Sequence, residues 1–509
     1  MKIKSFSWKT VLFVSIVLFS SCHKDDDNDS PTTNTYRDVS FEEPQVTGNT
    51  FYIDPENGSS QGDGSKNNPW RTMQEVVENN KISFYQNTEN YNPDSPLELV
   101  NPDAPVKGGD RLILLSGYHG HLSINRFIFE DWLTIEAAEG QTPVFSQINM
   151  TGAFRNVYLK NLTIIKSSYQ GSENYWEADA VTHNTNACLH LQSSDFWGRG
   201  SDVKIYGLTL KTTGDVSGWS ASDWVERSAG GISLRAVENI DIVNCTIENV
   251  RHGIAIEYFS DYTVCMNNTV KNFSGDGARI ISNHVFFGYN TITDCYKVDD
   301  NHDDCIQSYS RGEDNSAGTG VLEDVTIRGN LLIGTTDFDN PLAGSPQGIG
   351  CFDGMFDGWT VENNVVITNH YHGISFYGML NSKILNNTVI DQVPGDDVSP
   401  WIRIADHKNG TPSNNCLVAN NIAMSSVSVS GENVEENNNL VIGKSNYAQL
   451  YEIFSDPDNF DLHLLSNEYT LTSCIDMGAI IEGAVSSEMD RDNTERSGLP
   501  DLGAYEYEP

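Results

Sequence analysis

The sequence predicts an all-β protein, a right-handed parallel β-helix (solenoid) with a short N-terminal helical cap. Three observations point there. From about Val157 onward one short phrase recurs: apolar alternation, an Asn, then two or three β-formers. Its tightest spacings are 22 and 23 residues, counted from Cys245 to Asn268 to Asn290. The chain has 509 residues with 42 Gly and many Asn and Asp, so turn formers divide it into many short runs rather than one compact core.

The phrase reads Ile-Val-Asn-Cys-Thr-Ile at 242–247, Met-Asn-Asn-Thr-Val at 266–270 and Glu-Asn-Asn-Val-Val at 362–366. Aligned by it, one position reads Asn161, Cys245, Asn268, Asn290, Asn330, Asn364, Asn387 and Asn421. A period near 22 with three strand-like runs fits one turn of a parallel β-helix, each turn stacking at about 4.8 Å on the last. The repeated Asn predicts an inward ladder whose amides satisfy backbone groups at the turn. A propeller needs about twice that period, and a leucine-rich repeat far more Leu. The longer intervals hold insertions, at 311–320 and 393–400.

The two ends of this region carry a resemblance. Phe51-Tyr52-Ile53-Asp54-Pro55, Gly62-Asp63-Gly64-Ser65 and Val106-Lys107-Gly108-Gly109-Asp110 resemble the start of secreted β-helix carbohydrate-active enzymes of the polysaccharide lyase, epimerase and glycoside hydrolase type. The helix-like run Thr72–Glu78 between them is expected to cap an end that otherwise exposes unpaired strand edges. Asp461-Leu462-His463-Leu464, Ile475-Asp476-Met477-Gly478 and Asp501-Leu502-Gly503-Ala504-Tyr505-Glu506 resemble the closing segment of the same enzymes.

Ahead of the repeats, Lys2, Lys4 and Lys9 precede an apolar run, Val11 to Phe19, too short to span a bilayer, so residues 1–21 read as a signal peptide. Leu18-Phe19-Ser20-Ser21-Cys22 resembles a lipobox, which implies lipidation of Cys22 and a membrane partner through that anchor. His23-Lys24-Asp25-Asp26-Asp27 resembles the surface-export tag of Bacteroidetes lipoproteins, which implies an outer-membrane, cell-surface location. Residues 22–48 are expected to form a flexible acidic tether, leaving 49–509 as the catalytic β-helix. The eight other cysteines show no CxxC or zinc spacing and are expected as buried thiols.

The formal net charge is −39, which excludes nucleic acid as a partner because a phosphate backbone needs a basic surface. An anionic polysaccharide or oligosaccharide must then be held by local Arg or Lys, or by a bound cation. No phosphate-cradling Gly loop or HExxH is present, so the sequence shows no required cofactor. The acidic run Asp299, Asp300 and Asp303 suggests a calcium site of hard oxygen ligands.

One sheet of such a solenoid presents outward side chains from successive turns as a groove. The period-two rule sorts them into three columns. The leading column reads His252, Asp276, Asp304, Gln347 and His372, ahead of the strands. The middle column reads Ser233, Ala255, Arg279, Gln307, Gly350, Ser375 and Arg403. The exit column reads Arg235, Glu257, Ile281, Tyr309, Phe352 and Tyr377. Singly, an Asp or His on such a turn is a solvated turn former, and His119, His407 and His463 are read as structural or surface groups. The column as a whole points to chemistry.

Beside it, Tyr296-Lys297-Val298-Asp299-Asp300-Asn301-His302 is similar to the Tyr-x-x-Asp-x-His signature of β-helix alginate epimerases, with extra residues and without their proline. The resemblance implies Tyr296, Asp299 or Asp300, and His302 as proton-handling groups.

Three readings follow. A lyase-type enzyme on a uronic-acid glycan needs a cation for the carboxylate, from Arg279 or Arg403, and a base and acid from His302, His252, His372 or Tyr309. Asp304, near His302 in sequence, is expected to orient that imidazole. Glu257, Gln307, Tyr377, Trp401 and Arg403 would line the substrate. A glycoside hydrolase would instead pair Asp276 with Asp304, one turn apart at roughly 5 Å. A non-catalytic glycan-binding β-helix predicts aromatics dominating the groove, whereas titratable groups crowd its leading column.

Overall fold

A computed structural model describes residues 39–508, apart from 88–91, 93–95, 169–186, 195, 313–314, 392–397 and 445. The signal peptide, Cys22 and the tether up to residue 38 lie outside the described residues.

The chain winds as a parallel β-helix of three ladders. The groove ladder runs through Gly117–Asn125, Pro143–Thr151, Leu189–Gln192, Ile232–Arg235, Ile254–Glu257, Ala278–Ile281, Asp304–Tyr309, Gln347–Asp353, His372–Tyr377, Trp401–Ala405 and Val427–Val429, each parallel to the next. A second ladder holds strands such as Val237–Val243, Thr263–Met266 and Val285–Gly288. The third, entered past the repeated Asn, holds Thr246–Val250, Thr269–Phe273, Thr291–Cys295 and their successors to Leu440–Val441. Ile, Val, Leu, Phe and Cys from all three fill one continuous interior. All eight described cysteines are free thiols buried in the protein.

The Asn ladder forms as the repeat predicts. Asn268, Asn290, Asn330, Asn364, Asn387, Asn421 and Asn439 stack, each Oδ1 accepting the backbone N–H of the preceding ladder residue at 2.8–2.9 Å or 3.0 Å. From Asn268 to Asn421 each Nδ2 donates both along the ladder, as from Asn364 to Asn387 Oδ1 at 2.9 Å, and to a carbonyl of an adjacent turn, as from Asn364 to Ile327 O at 2.9 Å. A fully buried amide is thereby satisfied, where an unpaired one would cost about 1–3 kcal/mol. Asn161 is not a rung. Thr163 pairs with Thr209 and Thr209 with Thr246, which puts Leu162 at the ladder position and Asn161 one residue earlier. There Asn161 has φ 55°, the left-handed bend that Asn244 and Asn267 also take. The Asn-Asn doublets of later turns hide this distinction.

The helix α1, Met73–Glu78, caps the first turns. The Thr72 side chain accepts from Glu75 N, and Met73 and Val76 are buried in the interior. One expectation about the ends changes. Residues 41–48 are not free tether: Phe41 stacks on Tyr206 at 5.1 Å, Glu43 pairs with Lys160, and Gly48 N donates to Gly109 O at 2.8 Å. Stacking of one half-buried aromatic ring and an ion pair fastens what composition alone marks as loose. The closing segment folds back along the flank of the third ladder. Leu462, Leu464, Ile475, Leu502 and Tyr505 pack over the outward faces of Val365, Ile367, Ile390 and Ile422. Those β-formers are apolar on both faces, so a second layer must cover them. Among the described residues no helix is long and apolar enough to cross a membrane.

Candidate active site

The columns stand in register. His190, Ser233, Ala255, Arg279, Gln307, Gly350, Ser375, Arg403 and Ser428 lie on successive rungs of the middle column. In the leading column the carbonyl of Asp276 accepts from Gly253 N and that of Asp304 from Gly277 N, while Asp304 pairs with Gln347. The exit column breaks once. Tyr309 pairs with Asp353 rather than Phe352, because the register shifts after Ser308 and Phe352 is the extra residue of a bulge. Ile281 of that column is buried, not groove-lining.

At the centre sit two buried carboxyls. Asp276 is fully engaged: Oδ1 accepts from Asp304 N at 3.2 Å and Oδ2 from Arg279 Nε at 2.5 Å. Asp304 is 1% exposed; its Oδ2 accepts from Gln307 Nε2 at 3.0 Å, and its Oδ1 has no partner. Burial pushes the Asp304 carboxyl well above the usual carboxylate range, and the Asp276 charge adds to the shift. Burial also raises Asp276, although Arg279 opposes it. The pair therefore sets one carboxyl locked to a guanidinium beside one whose pKa burial raises. With both oxygens taken and no exposure, Asp276 is closed to a sugar's anomeric carbon. That counts against the paired-carboxylate hydrolase.

Arg279 is likewise committed, through Asp276 and through Glu257 at 3.7 Å, so it does not stand free as a carboxylate clamp. His252 turns its Nδ1 to accept Asp276 N at 3.0 Å, and burial holds its pKa well below the ordinary value.

The aromatic end of the groove differs. His372 Nδ1 lies 2.9 Å from Ser375 Oγ, which also accepts from Trp401 Nε1 at 3.0 Å. Tying Nδ1 to the buried serine leaves Nε2 as the outer nitrogen. Tyr377, Trp401 and Phe352 surround the imidazole, with ring centroids 6.3, 5.2 and 4.7 Å away. Burial, then the nearby His370 and Arg403, bring its pKa down to about 4, so it is neutral at physiological pH. One rung on, Arg403 lies 5.6 Å from the Trp401 ring and 5.7 Å from Tyr377. Its buried Nε has no hydrogen-bond partner, and it forms no ion pair among the described residues.

The sequence missed His370. It precedes the strand, where alternation says nothing, yet its ring lies 5.5 Å from His372, and burial with help from His302 lowers its pKa to about 4. Three aromatic residues in a row, His370, Tyr371 and His372, were the available signal. His302 is exposed near this corner, but Asp304 does not orient it, since the Asp304 oxygens face Gln307 and an unpartnered position.

The epimerase-like cluster does not assemble as a unit. Tyr296 donates to Asn272 Oδ1 at 3.0 Å and packs on Trp224, and Asp299 is held by Arg251 at 2.5 Å. Asp303 faces Asn301 and Lys297, and its carboxyl is pushed up to about 6 by burial. Asp299, Asp300 and Asp303 thus do not converge, and among the described residues no three His, Cys, Asp or Glu side chains gather as a metal site. Tyr309 Oη meets Tyr258 Oη at 3.2 Å on the exit edge. His119 is buried with Nε2 on Leu115 O at 2.7 Å, and His407 Nε2 accepts from Gly354 N at 3.2 Å, both structural as expected. His463 sits between Asp461 and Asp492 on the flank, at 2.6 and 3.2 Å.

No family model and no curated protein matches the chain. Among solved structures it is similar to the pectate lyase Pel9A, with 14% identity over 93% of this chain and 98% of that one and a TM-score of 0.43. It is also similar to XylC in complex with xylose, with 10% identity over 90% and 98% and a TM-score of 0.42. A third is the A-module of the mannuronan C-5 epimerase AlgE6 from Azotobacter vinelandii, with 12% identity over 66% and 86% and a TM-score of 0.35.

Proposed function

We propose that the protein is a carbohydrate-active enzyme of the lyase type, acting on a uronic-acid-containing polysaccharide or oligosaccharide. The observation that carries this reading is the pairing of Arg403, a groove guanidinium with no carboxylate partner among the described residues, with His372, a neutral imidazole on the next rung. A uronate carboxylate on Arg403 loses its negative charge to a bidentate donor, which acidifies the proton on the adjacent C5. In the tautomer with Nδ1–H donating to Ser375, His372 Nε2 presents a lone pair to take that proton. The C5–H electrons form the C4=C5 bond, the C4–O4 bond breaks, and the proton on the imidazole passes to the departing O4. Trp401, Tyr377 and Phe352 supply apolar faces for the sugar ring.

The test is ultraviolet absorbance of the purified protein mixed with alginate, polygalacturonate, ulvan or glycosaminoglycan and their oligosaccharides. A new conjugated alkene is expected, and it should vanish in His372→Ala and Arg403→Ala. Reducing ends without that absorbance would sink the lyase reading and favour hydrolysis; no change on any glycan would favour a binding module.

The lipobox-like leader extends the reading to location: Cys22 carries a lipid that fastens the enzyme to the outer membrane.

A further inference from the structure

We propose a second anion-binding subsite on the exit edge of the groove, in which Arg235 and Arg311 gather about Tyr258 to hold a uronate carboxylate of the same glycan chain. It rests on the uronic-acid reading above and extends it from one charged ring to a polyanionic chain.

The Tyr258 ring is fixed at both ends. Its backbone takes φ 42°, an uncommon left-handed bend for an aromatic residue, and its hydroxyl meets that of Tyr309 at 3.2 Å. Two guanidinium groups gather on that ring, Arg235 at 4.6 Å from its centroid and Arg311 at 4.8 Å. Arg311 is steadied from behind, where its Nη1 donates to Asn315 O at 2.9 Å. Neither forms an ion pair among the described residues, in a chain of net charge −39 whose Arg251, Arg279, Arg328 and Arg496 all have carboxylate partners. Glu257, the carboxylate next to Arg235 in the column, has Arg279 at 3.7 Å instead. Arg235 makes no side-chain hydrogen bond among the described residues, so its edge donors remain for a carboxylate, and Arg311 adds a second positive charge at the same ring.

The spacing supplies the substrate's length. Five rungs separate the Ile254–Glu257 strand from Trp401–Ala405, about 24 Å along the groove at one strand spacing each. Only a chain of several sugar rings with charges on rings far apart engages both sites. The structure thus favours a polyuronate over a mono- or disaccharide.

The experiment measures binding, not turnover, by affinity electrophoresis and calorimetry of the whole protein with polygalacturonate and with alginate. Arg235→Ala with Arg311→Ala is expected to weaken polymer binding by about tenfold or more, the effect of losing a charge-assisted contact of roughly 1.4 kcal/mol. A control with the same change of charge, Lys66→Ala with Lys444→Ala on exposed surface, should leave it intact. If the double variant loses its cooperative melt, Arg311→Gln alone replaces it. Equal weakening in both double variants, no weakening in the arginine pair, or no binding of either polymer by the wild type would overturn the subsite. Weakened binding in a protein that forms no alkene keeps the subsite and removes the lyase reading. Alkene formation with undiminished polymer binding does the reverse.

Discussion

His372 and His119 have similar depressed pKa values for the same first reason, burial, but with opposite consequences. His372 stands at the groove, and in the proposed reaction its neutral form is the base. With its pKa near 4, kcat/KM should fall only as pH drops through about 4, and a profile breaking near 6.5 would point to a different base. His372→Ala should lower kcat by about 100-fold or more with the fold intact. His119 is fully buried beside Phe145, with Nε2 on Leu115 O and Nδ1 unpartnered. Its folded pKa of about 4 lies below the ordinary 6.5, so between those values the unfolded chain binds a proton that the folded one refuses. Stability is therefore full above pH 6.5 and is lost as pH falls towards 4, by up to about 3 kcal/mol for a fully buried group. Denaturant melts of wild type and His119→Gln at pH 7.5 and 4.5 test this: the variant should show the smaller drop between the two.

At the scale of elements, the Asn ladder and the leading column illustrate two uses of stacking. Along the third ladder identical amides satisfy one another, so removing one strands its neighbours. Asn364→Ala leaves Asn330 N and Ile327 O without their side-chain partner in the interior, a cost of about 2–4 kcal/mol. Asn364→Asp, although isosteric, replaces the donor by an acceptor facing Asn387 Oδ1 and should be no better tolerated. Thermal melts of both variants, with Asn433→Ala on the exposed last turn as reference, check it; equal melting points for all would contradict a cooperative ladder. In the groove ladder stacking brings unlike groups together instead: burial first, and then the Asp276 charge beside it, raises the Asp304 carboxyl.

At the scale of the molecule, the solenoid separates its tasks around its circumference. The third ladder is covered by the returning C-terminal segment, and among the described residues no such layer lies over the groove ladder. One long face is thereby left for the extended chain of the proposed reaction. Anchoring belongs to this scale too. Cys22→Ala is expected to move the protein from the membrane fraction to the soluble one and to abolish metabolic palmitate labelling; retention in the membrane fraction would mean another attachment.

The sequence by itself determined the turn period, the Asn ladder, the three columns and the capping helix. Each follows from a local rule: alternation, a repeat length, a capping residue. It also named His372, Arg403, Trp401 and Tyr377, because their register positions lie on neighbouring rungs. Only the tertiary structure decided which charges are free. Arg279 and Arg403 occupy the same column and read alike in sequence, yet among the described residues Asp276 and Glu257 neutralise the first and no carboxylate pairs with the second. The bulge at Phe352, the strap at 41–48 and the place of His370 lie in loops and irregular steps, where no periodicity constrains side-chain direction. Burial raises the Asp304 carboxyl and lowers the His372 imidazole, and burial is a property of the assembled turns, since each turn is covered only by its neighbours.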